Sequence, residues 1–211
     1  SMSSGTNWDE AYYSPLSITT RAYFDDDLSK VILGLKVVDE PGKTYKYASG
    51  DTQMLAMVIE KATGKKLYKY LEESFWKPLG CENATLWQVD SKEGDLVKAY
   101  CCIASNAKDF ARYGKLFKDH GKWNGKQILD SAFVAKSVTP RFKESPEYGY
   151  GWWLKQQNGK NFFMMRGHLG QYVIVEPKDN IIIVRLGHSK GTDVEIASFT
   201  KDIAKYIDEA Y

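Results

Sequence analysis

The first two thirds of the chain carry apolar residues at helical spacing. In "DTQMLAMVIEKATG", Met54, Leu55, Val58, Ile59 and Ala62 share one predicted face, and Gly64 stands where a left-handed helix terminator is favoured. "LYKYLEESFWKPLG" continues the period with Leu67, Leu71 and Phe75 until Pro78 stops it. A third helix is expected at "SNAKDFARYGKLFKDHG", with Ser105 as its N-cap and Phe110, Tyr113, Leu116 and Phe117 as its apolar stripe. From about Glu147 the period changes to that of strands: "YGYGWWLKQ", "NFFMMRG", "QYVIVEP" and "IIIVRLGH". The short polar turn "KDN" between the last two predicts a hairpin. The tail repeats Ile196, Phe199, Ile203 and Ile207, an amphipathic helix that should lie on the sheet. The order is α+β: a mainly helical region over 1–145, then over 146–211 an antiparallel sheet with a covering C-terminal helix.

Composition narrows the classes. The 211 residues are 43% hydrophobic and 14% aromatic, enough for a sizeable core. The 29 basic and 27 acidic residues are spread along the chain, with no block that would track phosphates, so nucleic acid is not expected as a partner. No apolar run reaches membrane-spanning length, and no transmembrane segment is expected. No signal peptide is visible, and Ser1 before Met2 reads as a tag remnant, so this absence says little about the parent protein. Cys101 and Cys102 are adjacent and form no CxxC pair, which suggests a buried, reduced role. His120, His168 and His188 are scattered, without HExxH spacing, so no metal is expected. No Gly-rich phosphate loop and no GxSxG elbow appear, and no organic cofactor is expected.

Two segments remain as candidate chemistry: "KYAS" at Lys46–Ser49 and "RGHLGQYVIV" at Arg166–Val175. Glycines flanking a cationic-capable histidine at a strand start let another backbone or a ligand approach closely. A plain bulge at an edge strand would explain the same residues.

Taken in order, "MSSGTNW", "YKYASGDTQMLAMVIEKATGKK" with its "KPLG" turn, "SNAKDFARYGKL", "YGYGWW" and "GHLGQYVIVEPKDNIIIV" resemble the serine β-lactamase and penicillin-binding-protein superfamily. The branch resembled holds class C β-lactamases, esterases and 6-aminohexanoate-dimer hydrolases. The resemblance implies an incomplete β-lactamase/transpeptidase-like fold and a small-molecule or peptide substrate. It suggests a bacterial periplasm or cell envelope, although the compartment stays open. Tyr47 matches the family's tyrosine, which deprotonates the nucleophile and reprotonates the leaving group. Ser49 stands where class C enzymes have asparagine. His168, Leu169 and Gly170 occupy the Lys-Thr-Gly position, and the backbone N–H of Gln171 would be half of the oxyanion hole. Leu169 has no hydroxyl to hold a substrate carboxylate, which points to esters or small amides rather than penicillins.

The family's nucleophile comes from an S-x-x-K helix start upstream of the M-S-S-G segment. Three such strings occur here, at Ser74, Ser105 and Ser198, but 15 serines and 24 lysines give about two by chance. The chain is therefore expected to be a C-terminal portion that lacks the nucleophile and is inactive alone. The absent region would leave an unpaired strand edge, open to self-association or swapping. The rival reading is a binding module that kept the fold without its chemistry.

Overall fold

The computed structural model describes residues 2–188, 200–206 and 209. The chain divides into two compact units, Ser1–Ser105 and Asn106–Tyr211. This division and the change of hydrophobic period at residue 146 are different boundaries, because two helices beyond Ser105 pack within the unit that holds the sheet.

The first unit contains α1 (Ile18–Phe24), α2 (Leu28–Leu33), α3 (Ser49–Thr63), α4 (Leu67–Leu71) and a two-stranded ladder of β1 (Leu86–Trp87) and β2 (Ile103–Ala104). Ser17 caps α1 by accepting from Thr20 N, and Asp27 caps α2 by accepting from Lys30 N. At the other end of α1 the last carbonyls accept from side chains, Ala22 O from the Tyr100 hydroxyl and Tyr23 O from Lys98 Nζ. The core gathers Trp8, Ala22, Leu28, Val31, Ile32, Ala48 and Leu96. α4 runs on into a π-helical turn, Glu72–Trp76, which buries Trp76 before Pro78 ends it.

On α3 the expected face is corrected. Leu55 and Val58 are 57% and 62% exposed, whereas Gln53 is fully buried. The Gln53 amide donates to Val97 O and accepts from Ala99 N, so a polar side chain satisfies the 97–99 backbone where a leucine could not. The reduced cysteines are corrected as well. Cys101 and Cys102 are joined in a vicinal disulfide, the left-handed backbone at Cys102 turning its side chain beside that of its neighbour.

The second unit opens with α5 (Ala107–Lys118). Its N-cap is Asn106 rather than Ser105, because the Asn106 carboxamide reaches Asp109 N and also donates to the Asp109 carboxylate. A short ladder of β3 (Lys122–Trp123) and β4 (Lys126–Gln127) leads to α6 (Ser131–Ser137), followed by an antiparallel sheet in the order β5 (Trp153–Gln157), β6 (Lys160–Arg166), β7 (Tyr172–Glu176) and β8 (Ile181–Arg185). Alternation sends Phe162, Met164, Tyr172 and Ile174 to one face, where Ile203 and Ala204 of α7 (residues 200–206) pack. Phe163, Val173 and Val175 face the other way, against Phe110 and Phe117 of α5. Gly114 permits this approach, since a Cβ there would lie 3.0 Å from Val175 Cγ2. The covering C-terminal helix is thus present over the described part. Ile196, Phe199 and Ile207 of its expected stripe lie outside the described residues.

The β7–β8 turn is pinned by charge. Lys160 Nζ lies 2.6 Å from Asp179, whose backbone N–H donates to the buried Glu176 carboxylate. The hydrogen bond from Lys160 holds the Asp179 carboxyl below its ordinary range. A depressed carboxyl stabilises the fold above its unfolded pKa of about 4 and loses that contribution as pH falls through the folded value. Asp179→Asn is therefore expected to be less stable than wild type at neutral pH, with the gap closing below about pH 4. Urea midpoints at several pH values check this; an equal gap at every pH contradicts it.

Candidate active site

Tyr47 is half-buried in the extended segment that enters α3. Its two neighbours are held by one residue: Lys46 N donates to Met2 O at 2.9 Å, and Ala48 N to Met2 Sδ at 3.3 Å. Met2 is itself buried. The "MSSG" turn behind it is tied to α3 by Asp51, whose carboxylate accepts from Ser3 N, Ser4 N and Ser4 Oγ. Gly5 is required in that turn: φ is +70°, and a Cβ would meet Asp39 O at 2.2 Å.

Ser49, the first residue of α3, is only 7% exposed. Its hydroxyl and its backbone N–H both donate to Glu10. Glu10 also accepts from Trp8 Nε1 at 2.8 Å and from the Tyr12 hydroxyl at 2.6 Å. Ala48 offers no side-chain cap, so a carboxylate from a distant loop takes the cap's place at the positive end of the helix. Burial, with the Glu10 hydrogen bond and charge, pushes the Tyr12 phenol above its ordinary range, and Tyr47 adds to this. Glu10, Asp51 and Met2 went unrecognised in the sequence. Only the "WDEAY" position just after the "MSSG" segment could have flagged Glu10.

A cavity of about 980 Å³ in this unit is lined by Asp25, Asp27, Glu60, Lys66 and Asp90, among others, but by neither Tyr47 nor Ser49. Asp27 and Asp90 are engaged by backbone N–H groups of helix starts and turns. The cavity is thus apart from the candidate chemistry. Among the described residues no set of three His, Cys, Asp or Glu side chains is placed to hold a metal ion.

In the second unit, His168, Leu169 and Gly170 form the turn between β6 and β7, with His168 and Leu169 exposed. Gly167 N donates to Gln171 O at 2.7 Å, and Gly170 N to Gly167 O at 3.2 Å. The Gln171 side chain braces the turn from inside, accepting from Leu169 N and donating to Gly187 O. Arg185 adds a cation by donating to Gly170 O at 2.7 Å. The Gln171 N–H meets no acceptor among the described residues.

Among the described residues, the two strings with S-x-x-K spacing lack the geometry of a nucleophile helix, in which serine opens the helix and lysine follows one turn on. Ser74 lies inside the π-helical turn, and Lys77 pairs with Glu72. Ser105 precedes the cap of α5, and its buried hydroxyl has no hydrogen-bond partner among the described residues. Ser198 lies outside the described residues.

The family model described as Beta-lactamase matches residues 1–204. The 6-aminohexanoate-dimer hydrolase of Paenarthrobacter ureafaciens is 23% identical over 154 residues, 67% of this chain and 38% of that protein. The D-aminopeptidase of Brucella anthropi is 26% identical over 147 residues, 62% of this chain and 28% of that protein. A solved Bacillus anthracis protein, a candidate 6-aminohexanoate-dimer hydrolase, superposes with a TM-score of 0.74 at 25% identity. It covers 95% of this chain and 51% of its own. The chain therefore has the β-lactamase/transpeptidase-like fold and spans about half, or less, of the length of these relatives.

Proposed function

The chain belongs to the beta-lactamase family, whose named relatives are hydrolases, and from that premise we propose that it is the C-terminal portion of a serine hydrolase. The complete protein acts through an acyl-serine intermediate on an ester, amide or peptide bond. The observation that supports this best is the clamp on Tyr47, whose neighbours on both sides are hydrogen-bonded to Met2 at the head of α3.

In this reading Tyr47 takes the proton from the nucleophilic serine as its oxygen attacks the carbonyl carbon. The Gln171 N–H donates to the developing oxyanion, a contribution of about 3 kcal/mol. Collapse breaks the bond to the leaving group, which Tyr47 protonates, and water then hydrolyses the acyl-serine. A free tyrosine has a pKa of about 10, so the base needs a cation beside it, and the lysine of an S-x-x-K segment is the family's provider. His168 adds positive charge only when protonated. Leu169 offers no hydroxyl to a carboxylate, which favours esters and small amides.

In a protein of the relatives' length that carries these residues, Tyr47→Phe is expected to lower kcat by roughly 10²–10⁴-fold. Unchanged kcat would remove Tyr47 from the mechanism. The 211-residue chain by itself is expected to form no covalent adduct with a fluorophosphonate or a penicillin. Stoichiometric labelling of any serine, Ser105 above all, would show that the nucleophile lies within the chain. The second reading is a binding module that kept the fold without its chemistry. An intact S-x-x-K in the complete protein decides against it.

A further inference from the structure

We infer that Glu10 is a positioning residue of the Tyr47 site, its carboxylate linking the Trp8–Tyr12 loop to the first residue of α3 and so setting where Tyr47 stands. The inference rests on the reading of Tyr47 as the base, and it concerns a residue that the family resemblance did not pick out.

Both carboxylate oxygens of Glu10 are engaged. Oε1 accepts from Trp8 Nε1 and Ser49 N, and Oε2 from the Tyr12 hydroxyl and Ser49 Oγ. Four donors around one carboxylate fix it in position and direction, because each oxygen is bound on both the loop side and the helix side. Tyr47 lies two residues before Ser49, with Ala48 between them buried in the core. A shift of Glu10 therefore moves Ser49, and Tyr47 with it. Trp8 is locked in turn: a Cβ on Gly50 would lie 2.5 Å from its ring, so this helix start can come close only as glycine.

The arrangement also sets hydrogen-bond polarity. A serine hydroxyl has one proton to give, and Ser49 gives it to Glu10. The hydroxyl is thereby committed to bracing the helix start. The exposed Tyr12 donates its hydroxyl proton to the same carboxylate, so the Ser49 and Tyr12 hydroxyls are both aligned by one negative charge. The phenols that this charge raises are Tyr12 and Tyr100, and Tyr47 lies close enough to Tyr12 to interact with it electrostatically. Asp51, the other carboxylate at this helix end, is engaged by Ser3 and Ser4 instead.

The test is an acid titration of the 211-residue chain carrying ¹³Cζ-labelled tyrosine, followed by NMR. In wild type, the Tyr12 and Tyr47 resonances are expected to move together with one inflection, that of Glu10. In Glu10→Gln the inflection disappears from both. In Asp51→Asn, which removes a carboxylate from the same helix end, it stays. An inflection at Tyr12 alone, or one that survives Glu10→Gln, overturns the inference. Should Glu10→Gln fail to fold, the wild-type curves decide by themselves, since separate inflections at the two tyrosines contradict a shared link. A helix cap with no bearing on the site would change the melting temperature and leave the Tyr47 resonance still. No turnover enters the measurement, so the inference can fail while the hydrolase reading stands, and the reverse.

Discussion

Replacing Trp8 by alanine is expected to destabilise the first unit by about 3–5 kcal/mol, the range for deleting a large buried aromatic. Trp8 is fully buried and central to its cluster. Gly50, whose backbone lies against the ring, has no side chain to fill the space left. The loss is a large part of the roughly 5–15 kcal/mol that holds a domain folded, so the thermal midpoint should fall by at least about 10 °C. Trp8→Phe separates the contributions. It keeps a buried aromatic ring but removes the donor to the charged Glu10 and part of the indole, at a cost of about 2–3 kcal/mol. Calorimetry of the three proteins checks the order. A Trp8→Ala midpoint within a few degrees of wild type would mean that the cluster does not hold the unit together.

The purified chain is expected to sediment as a species larger than one copy. Among the described residues β8 stands at the edge of its sheet, yet it reads Ile-Ile-Ile-Val without a lysine, proline or bulge over that run. Ile183 packs on the α7 side, and Ile182 and Val184 on the α5 side. Covered faces and a continuous apolar run are properties of an interior strand, and an unguarded edge of this kind is a template for pairing. We propose a second copy as the partner when the chain is alone, by pairing across β8 or by exchange of an element. The exposed Leu55 and Val58 of α3 should contribute to binding of a hydrophobic dye, and Leu55→Glu with Val58→Glu should weaken that binding without loss of helix signal. A single-copy species with a cooperative, high-temperature melt would show that the 211 residues suffice, and self-association would be abandoned.

Much of the fold was legible because it is local. The hairpin of β7 and β8 follows from two apolar runs around a polar turn, and the end of α3 from Gly64, whose φ is +66°. The stripe on α5 was readable because Phe110 and Phe117 turn to the sheet, and Leu116 is fully buried. On α3 a neighbour distant in sequence decided. The α3 period pointed to Leu55 and Val58, but the inward face was set by the backbone at 97–99, which only Gln53 could satisfy. Ser105 and Asn106 are both good caps by composition, and the reach of one carboxamide to Asp109 chose between them.

The candidate site divides in the same way. Tyr47, Ser49 and the His168–Gln171 turn could be named from their order along the chain, since family register is a linear property. What holds them could not be. Glu10 reaches Ser49 across 39 positions and Asp51 reaches Ser4 across 47, and no periodicity or spacing rule spans such separations. The sequence by itself determined the order of elements, the residue types at the candidate site and the period of each face. Tertiary structure alone decided which polar groups are satisfied and by whom, because a hydrogen bond depends on distance and direction in space, and the chain brings those groups together only on folding.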